Sequence, residues 1–105
     1  MIVRVWRGQT PVASADAYER HVTQAVFPGL RGIPGYRGAG VLRRETSDGV
    51  EFIVMTYWES LEAIRKFAGP RAETAVVTPE ARALLSNFEA FARHYTLAQD
   101  STRKR

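Results

Sequence analysis

The most continuous apolar run in the chain lies at residues 50–58, where Phe52, Ile53, Val54, Met55, Tyr57 and Trp58 are interrupted by Thr56 alone. A short run rich in β-branched and aromatic residues predicts a strand buried on both faces. The period then changes. Leu61, Ile64, Phe67 and Ala68 recur at helical spacing behind Ser60, a capping hydroxyl. Glu62 and Lys66 form an i,i+4 pair on the predicted helix over residues 61–68, and Gly69-Pro70 stops it.

Upstream, residues 2–7 alternate, with Val3 and Val5 against Ile2, Arg4 and Trp6, which predicts a first strand ended by residues 8–11. Ser14 is placed to cap a helix in which Ala15, Tyr18, Val22, Ala25 and Val26 share one face, and which should end by Pro28-Gly29. Residues 30–40 are glycine-rich, but their spacing is not that of a phosphate loop, and a strand rather than a helix follows. A turn and a second strand over residues 36–44 fit better. Thr46-Ser47-Asp48-Gly49 then predicts a hairpin into the central strand.

Residues 71–77 carry no clear pattern. Thr78-Pro79-Glu80 opens a helix with Ala81, Leu84, Leu85 and Phe88 on its apolar face. Residues 89–97 alternate again, Phe91, Arg93, Tyr95 and Leu97 against Ala92, His94 and Thr96, and predict a last strand. The order β-α-β-β-α-(α)-β is the ferredoxin-like pattern of the α+β class, an antiparallel sheet with helices on one face. The central strand is apolar throughout, so its second face needs a cover, and a second copy of the chain in a C2 homodimer supplies one.

Length sets the next bound: 105 residues suit one domain, read as residues 1–97 with a basic flexible tail at 98–105. The charge of +4 is mostly that tail. Without Arg103, Lys104 and Arg105 the chain holds 12 basic against 11 acidic residues. The only basic stripe elsewhere is the short stretch from Arg31 to Arg44, so nucleic acid is not expected as a partner. The absence of cysteine excludes disulfides, thiolate catalysis and cysteine metal sites. Arg4 and Arg7 make the first residues unlike a signal peptide, and no apolar run reaches the ~20 residues that span a bilayer. A soluble, cytoplasmic protein without membrane contact is the expectation. Nucleophile elbow, Walker and H-E-x-x-H sequences are missing, and no metal site is expected.

A few side chains can carry chemistry. His21 falls at the edge of the first helix's apolar face, about 90° from its centre at ~100° per residue. His94 alternates with Tyr95 on the last strand, so one of the two faces the helices. Trp6 and Trp58 are amphipathic rings able to stack on an aromatic ligand. Arg4 shares Trp6's face and can hold an anionic oxygen if it points inward. The alternatives stay open here: a half-solvated His21, a hydrogen-bonded buried His94, tryptophans that only pack, an Arg4 solvated at an edge.

The stretches MTYWESLEAIRKFAG, VVTPEARALL and FARHYTL resemble the antibiotic biosynthesis monooxygenase family over nearly the whole chain, residues 3–97. The resemblance implies a dimeric α/β barrel. It also implies one of two chemistries. The cofactor-free branch oxidises polyphenolic aromatics with O₂ in a pocket between sheet and helices. For that branch His94 and His21 are the candidate bases, with Trp6, Tyr57, Trp58, Phe67, Tyr95 and Arg4 as substrate-binding residues. The haem-degrading branch has an Asn on the first strand, a Trp in the helix after the central strand and a His beyond it. Here the strand has no Asn, and Phe67 and Val77 stand at the other two positions. The expected reading is therefore oxidation of a small aromatic, phenolic substrate without a cofactor. The alternative is a non-enzymatic small-molecule or haem-binding protein, with haem held by His21 or His94. A third reading gives the basic tail an acidic polymer as partner.

Overall fold

Strand β1 (Ile2–Thr10) runs through the middle of a five-stranded antiparallel sheet in the computed structural model. On one side it pairs along its whole length with β3 (Gly49–Trp58), from Ile2 opposite Trp58 to Thr10 opposite Val50. β3 pairs in turn with β2 (Tyr36–Thr46) through the expected hairpin. On its other side β1 carries two short strands, β4 (Asn87–Phe88) and β5 (Arg93–Thr96). Helices α1 (Ala15–His21), α2 (Phe27–Leu30), α3 (Leu61–Ala68) and α4 (Pro79–Leu84) complete the chain. The structure describes residues 1–101, and the cluster Arg103, Lys104 and Arg105 lies outside the described residues. The architecture is the expected α+β, ferredoxin-like one, with helices on one face of the sheet.

Alternation decides which residues meet the helices. Arg4 lies opposite Thr56 and Trp6 opposite Val54, so one inner row combines residues of both strands. Two buried clusters form on this face. In the first, Tyr18 and Val22 of the helical arm pack on Val50 and Phe52, and Tyr18 meets Phe52 edge-on with ring centroids 4.8 Å apart. In the second, Trp58, Ala63, Ile64 and Ala72 pack together, and the Trp58 ring stacks on Phe67 at 5.6 Å. Fully burying a large apolar side chain such as Phe52 stabilises the fold by about 1.5–3 kcal/mol.

Four local expectations need correction. Ser14 does not cap α1: it is itself helical, the last residue of a 3₁₀ turn (Val12–Ser14), and its hydroxyl makes no capping bond. The extended backbone of Pro11 marks the true boundary. The first helical arm also does not stop at Pro28-Gly29. It widens into a π segment (Val22–Val26) and resumes as α2. Pro28 stands in the first turn of α2, directly after the π segment.

The single last strand over residues 89–97 is in fact broken. Ala90 accepts from the amide of Ala75 at 3.0 Å, and Ala92 donates to the carbonyl of Glu73 at 2.7 Å. Between Glu89, whose amide still donates to the Arg7 carbonyl of β1, and β5, the backbone of residues 90–92 therefore pairs with the loop before α4 instead of with β1. Phe88, expected on a helix face, is a strand residue beside Trp6, ring centroids 6.0 Å apart.

Candidate functional site

The two clusters do not meet along the whole inner face. Between them opens a cleft of about 590 Å³. Its floor is the inner row Arg4, Trp6, Val54 and Thr56. Tyr18, His21, Val22, Ala25 and Val26 of the helical arm form one wall, closed at the end by Leu30 and Ile33. Phe67 of α3 and the segment Val76, Val77, Thr78, Glu80 and Ala81 form the other. The lining is mainly apolar and aromatic with a few polar groups, the usual make-up of a small-molecule site.

Arg4 is the unusual member. It is only 4% exposed. Its guanidinium donates to the carbonyls of Ala72 at 3.0 Å and Thr74 at 2.7 Å, and lies over the Phe67 ring at 5.5 Å. Burial lowers its pKa to about 10, against a smaller opposing pull from Glu73, so it stays charged at neutral pH. It thereby ties β1 to the loop that carries Val76 and Val77 into the cleft. Behind it, His94 Nε2 sits 3.5 Å from an Arg4 nitrogen. Burial first, and the Arg4 charge second, hold His94 below its ordinary pKa, with Glu73 acting the other way.

His21 reaches the cleft from the end of α1. Its Nε2 is 3.2 Å from the Thr78 hydroxyl, which also accepts from the Ala81 amide as the N-cap of α4. One threonine thus starts a helix and orients an imidazole. Trp6 donates from Nε1 to the carbonyl of Glu89 at 2.8 Å, which fixes its ring in the floor.

The cleft brings together Arg4, Trp6, His21 and Phe67 of the residues singled out in the sequence. It does not include the other four. Trp58 is wholly buried behind Phe67, with Nε1 donating to Thr56 Oγ1 at 2.7 Å. His94 lies behind Arg4, a second layer and not a wall. Tyr57 and Tyr95 both lie opposite Val3, one residue out of phase with Arg4, and so occupy the outer face of the sheet. Thr56 and Thr78 were missed as site residues. Thr56 had a signal: it is the one polar break in the apolar run, in phase with the inner row. Thr78 was legible only as a cap.

Residues 1–77 match the family model described as antibiotic biosynthesis monooxygenase. No curated protein matches the chain in sequence. Several solved structures are similar in fold. The haem degrader MhuD from Mycobacterium tuberculosis, with two haems in its active site, is 19% identical with a TM-score of 0.67, covering 95% of this chain and 98% of that one. ActVA-Orf6 monooxygenase of Streptomyces coelicolor, in complex with nanaomycin D, is 18% identical with a TM-score of 0.62, covering 98% and 92%. SnoaB, a cofactor-independent oxygenase from Streptomyces nogalater, is 19% identical with a TM-score of 0.64, covering 97% of each chain. At these identities the likeness is one of fold. It extends over the C-terminal quarter that the family model leaves unmatched.

Proposed function

We propose, for a chain that belongs to the antibiotic biosynthesis monooxygenase family, that the cleft binds a small phenolic aromatic and oxidises it with O₂ without a cofactor. The observation that carries this reading is the cleft's make-up: an aromatic floor residue, Trp6, and an aromatic wall residue, Phe67, with a single imidazole, His21, at the edge. Trp6 and Phe67 offer aromatic surfaces to a planar ring. His21 takes the phenolic proton, and the resulting anion is electron-rich enough to reduce O₂. In the overall balance the phenol loses its O–H hydrogen and one ring C–H hydrogen, one oxygen atom of O₂ becomes a new ring carbonyl and the other leaves with both hydrogens as water, so the substrate itself supplies the electrons. SnoaB, whose fold this chain shares, is a cofactor-independent oxygenase.

Oxygen uptake with a panel of anthrones and dihydroxynaphthalenes tests the reading. One O₂ consumed per quinone formed, with a large loss in His21→Ala at unchanged fold, is the expected result. No uptake with any member, or full activity in His21→Ala, would sink it.

A haem-binding role is the second reading, and His21 is also what favours it. Iron needs an imidazole, Cys, Met or Tyr ligand, and of the chain's two histidines only His21 lines the cleft. Val77 lies in the opposite wall, where the haem-degrading pattern has its histidine. The donor set fits a haem held from the helical arm, with His21 as the ligand. A Soret shift on haemin titration that His21→Ala abolishes would establish it; an unchanged Soret band would dismiss it.

The working unit in this reading is a homodimer in the cytoplasm. Leu42 and Tyr95 leave more than half of their surface exposed on the outer face of the sheet, next to Ile53, Met55 and Tyr57. A second copy covers that face. Light scattering that returns the mass of one chain at micromolar concentration would refute the dimer.

A further inference from the structure

Every arginine ion pair among the described residues is found near the surface, and none involves Arg4. Arg43 meets Asp16 and Glu19, Arg7 and Arg44 share Glu51, and Arg93 meets Glu89. Arg4, the most buried of them, has only two carbonyls, an imidazole and the face of Phe67. These partners are dipoles. A charge taken out of water and met only by dipoles is poorly compensated. Glu73 acts on it from an exposed position without reaching it.

From this geometry we infer that the ligand of the cleft is an aromatic anion, a carboxylate or phenolate, whose charged oxygen is received by Arg4. The inference rests on the aromatic-cleft reading and adds the charge of the ligand and the end by which it is held. In a mainly apolar cavity an oxyanion at a guanidinium gains a charge-assisted hydrogen bond that water does not dilute. The Phe67 ring beneath the guanidinium continues as the surface on which the ligand's own ring lies. Glu80 lines the same cleft and repels an anion, so the ligand is polarised: charged end at Arg4, neutral end toward Glu80. Where the oxygen is a phenolate, Arg4 also stabilises the form that reacts with O₂, because it favours the anion over the phenol.

Matched probes test this. Binding of 2-naphthoate and 2-naphthamide, which share size and shape but not charge, is measured by calorimetry at pH 7 on the wild type, Arg4→Gln and Arg4→Lys. Protoporphyrin IX and its dimethyl ester form a second pair, which tells a porphyrin carboxylate from a small aromatic acid. The expected result is an acid preference of roughly 10–100-fold in at least one pair, the range of a charge-assisted hydrogen bond. It should fall to about one-fold in Arg4→Gln and be partly retained in Arg4→Lys. A purely structural Arg4 would weaken both members of a pair alike and leave their ratio unmoved. Equal affinity within both pairs in the wild type overturns the inference without any variant, and leaves the aromatic cleft standing. An unchanged ratio in folded Arg4→Gln also overturns it. If no probe binds at all, the cleft reading itself falls, and the inference with it.

Discussion

Trp58 and Thr56 offer the sharpest test of how the site is held. Trp58 is fully buried and Thr56 is 6% exposed, and the indole N–H donates to the threonine hydroxyl at 2.7 Å. Trp58→Phe removes that bond and shrinks the ring. The bond accounts for about 1 kcal/mol. The smaller ring leaves a void of roughly 40 Å³, which at ~24 cal/mol per Å³ adds about 1 kcal/mol. Weaker stacking on Phe67 and a poorer edge contact with Tyr36, now at 5.6 and 5.5 Å, bring the total to about 2–3 kcal/mol. That is a large share of the roughly 5–15 kcal/mol that holds a domain of this size.

Thr56→Val alone should cost about 1–2 kcal/mol, since it strands the indole N–H away from water. In the double variant no donor is stranded, so its cost should fall short of the sum of the singles by about 1 kcal/mol. Urea unfolding of the four proteins, with unchanged m-values, measures this directly. Additivity within about 0.3 kcal/mol would show that the bond contributes nothing and that Trp58 acts by volume alone.

Two other outcomes follow from backbone and charge. Gly35 sits at φ +90°, and a Cβ there would lie 2.5 Å from that of Ala63, whereas nothing stands within 4 Å of one at Gly29. Gly35→Ala should lower stability by about 2–4 kcal/mol, and Gly29→Ala, in a helix, should raise it by about 0.5–1 kcal/mol; a Gly35→Ala urea midpoint equal to wild type would refute the close packing of that turn on α3. His94 has its folded-state pKa held below the ordinary 6.5 by burial and by Arg4. The unfolded chain therefore takes that proton first, and the stability from neutral His94 is complete above about pH 6.5 and lost as pH falls below it. His94→Gln should flatten the fall in stability below about pH 6.5; parallel curves for variant and wild type would contradict the burial of His94 behind Arg4.

Alternation and helical period were enough to place the central strand, the hairpin at Asp48-Gly49, the helix capped by Ser60 and the helix opening at Thr78-Pro79. Those are local properties: a side chain's inward or outward phase, and a cap's fit to the first turn, depend on near neighbours in sequence. The same phase put Arg4 and Trp6 on one face and left the outer face of the sheet apolar. Two kinds of fact were decided only by tertiary structure. One is where backbone groups find partners. Residues 90–92 alternate as a strand does, yet bond to the loop before α4, because Arg4 holds that loop within their reach. The other is which inward residues border a void. Trp6 and Trp58 are alike in sequence, both aromatic and both inward, but one forms the floor of the cleft and the other is sealed behind Phe67. Periodicity separates inside from outside; a cavity exists only where two separately packed clusters fail to close on each other, and that depends on the volumes and angles of elements far apart in the chain.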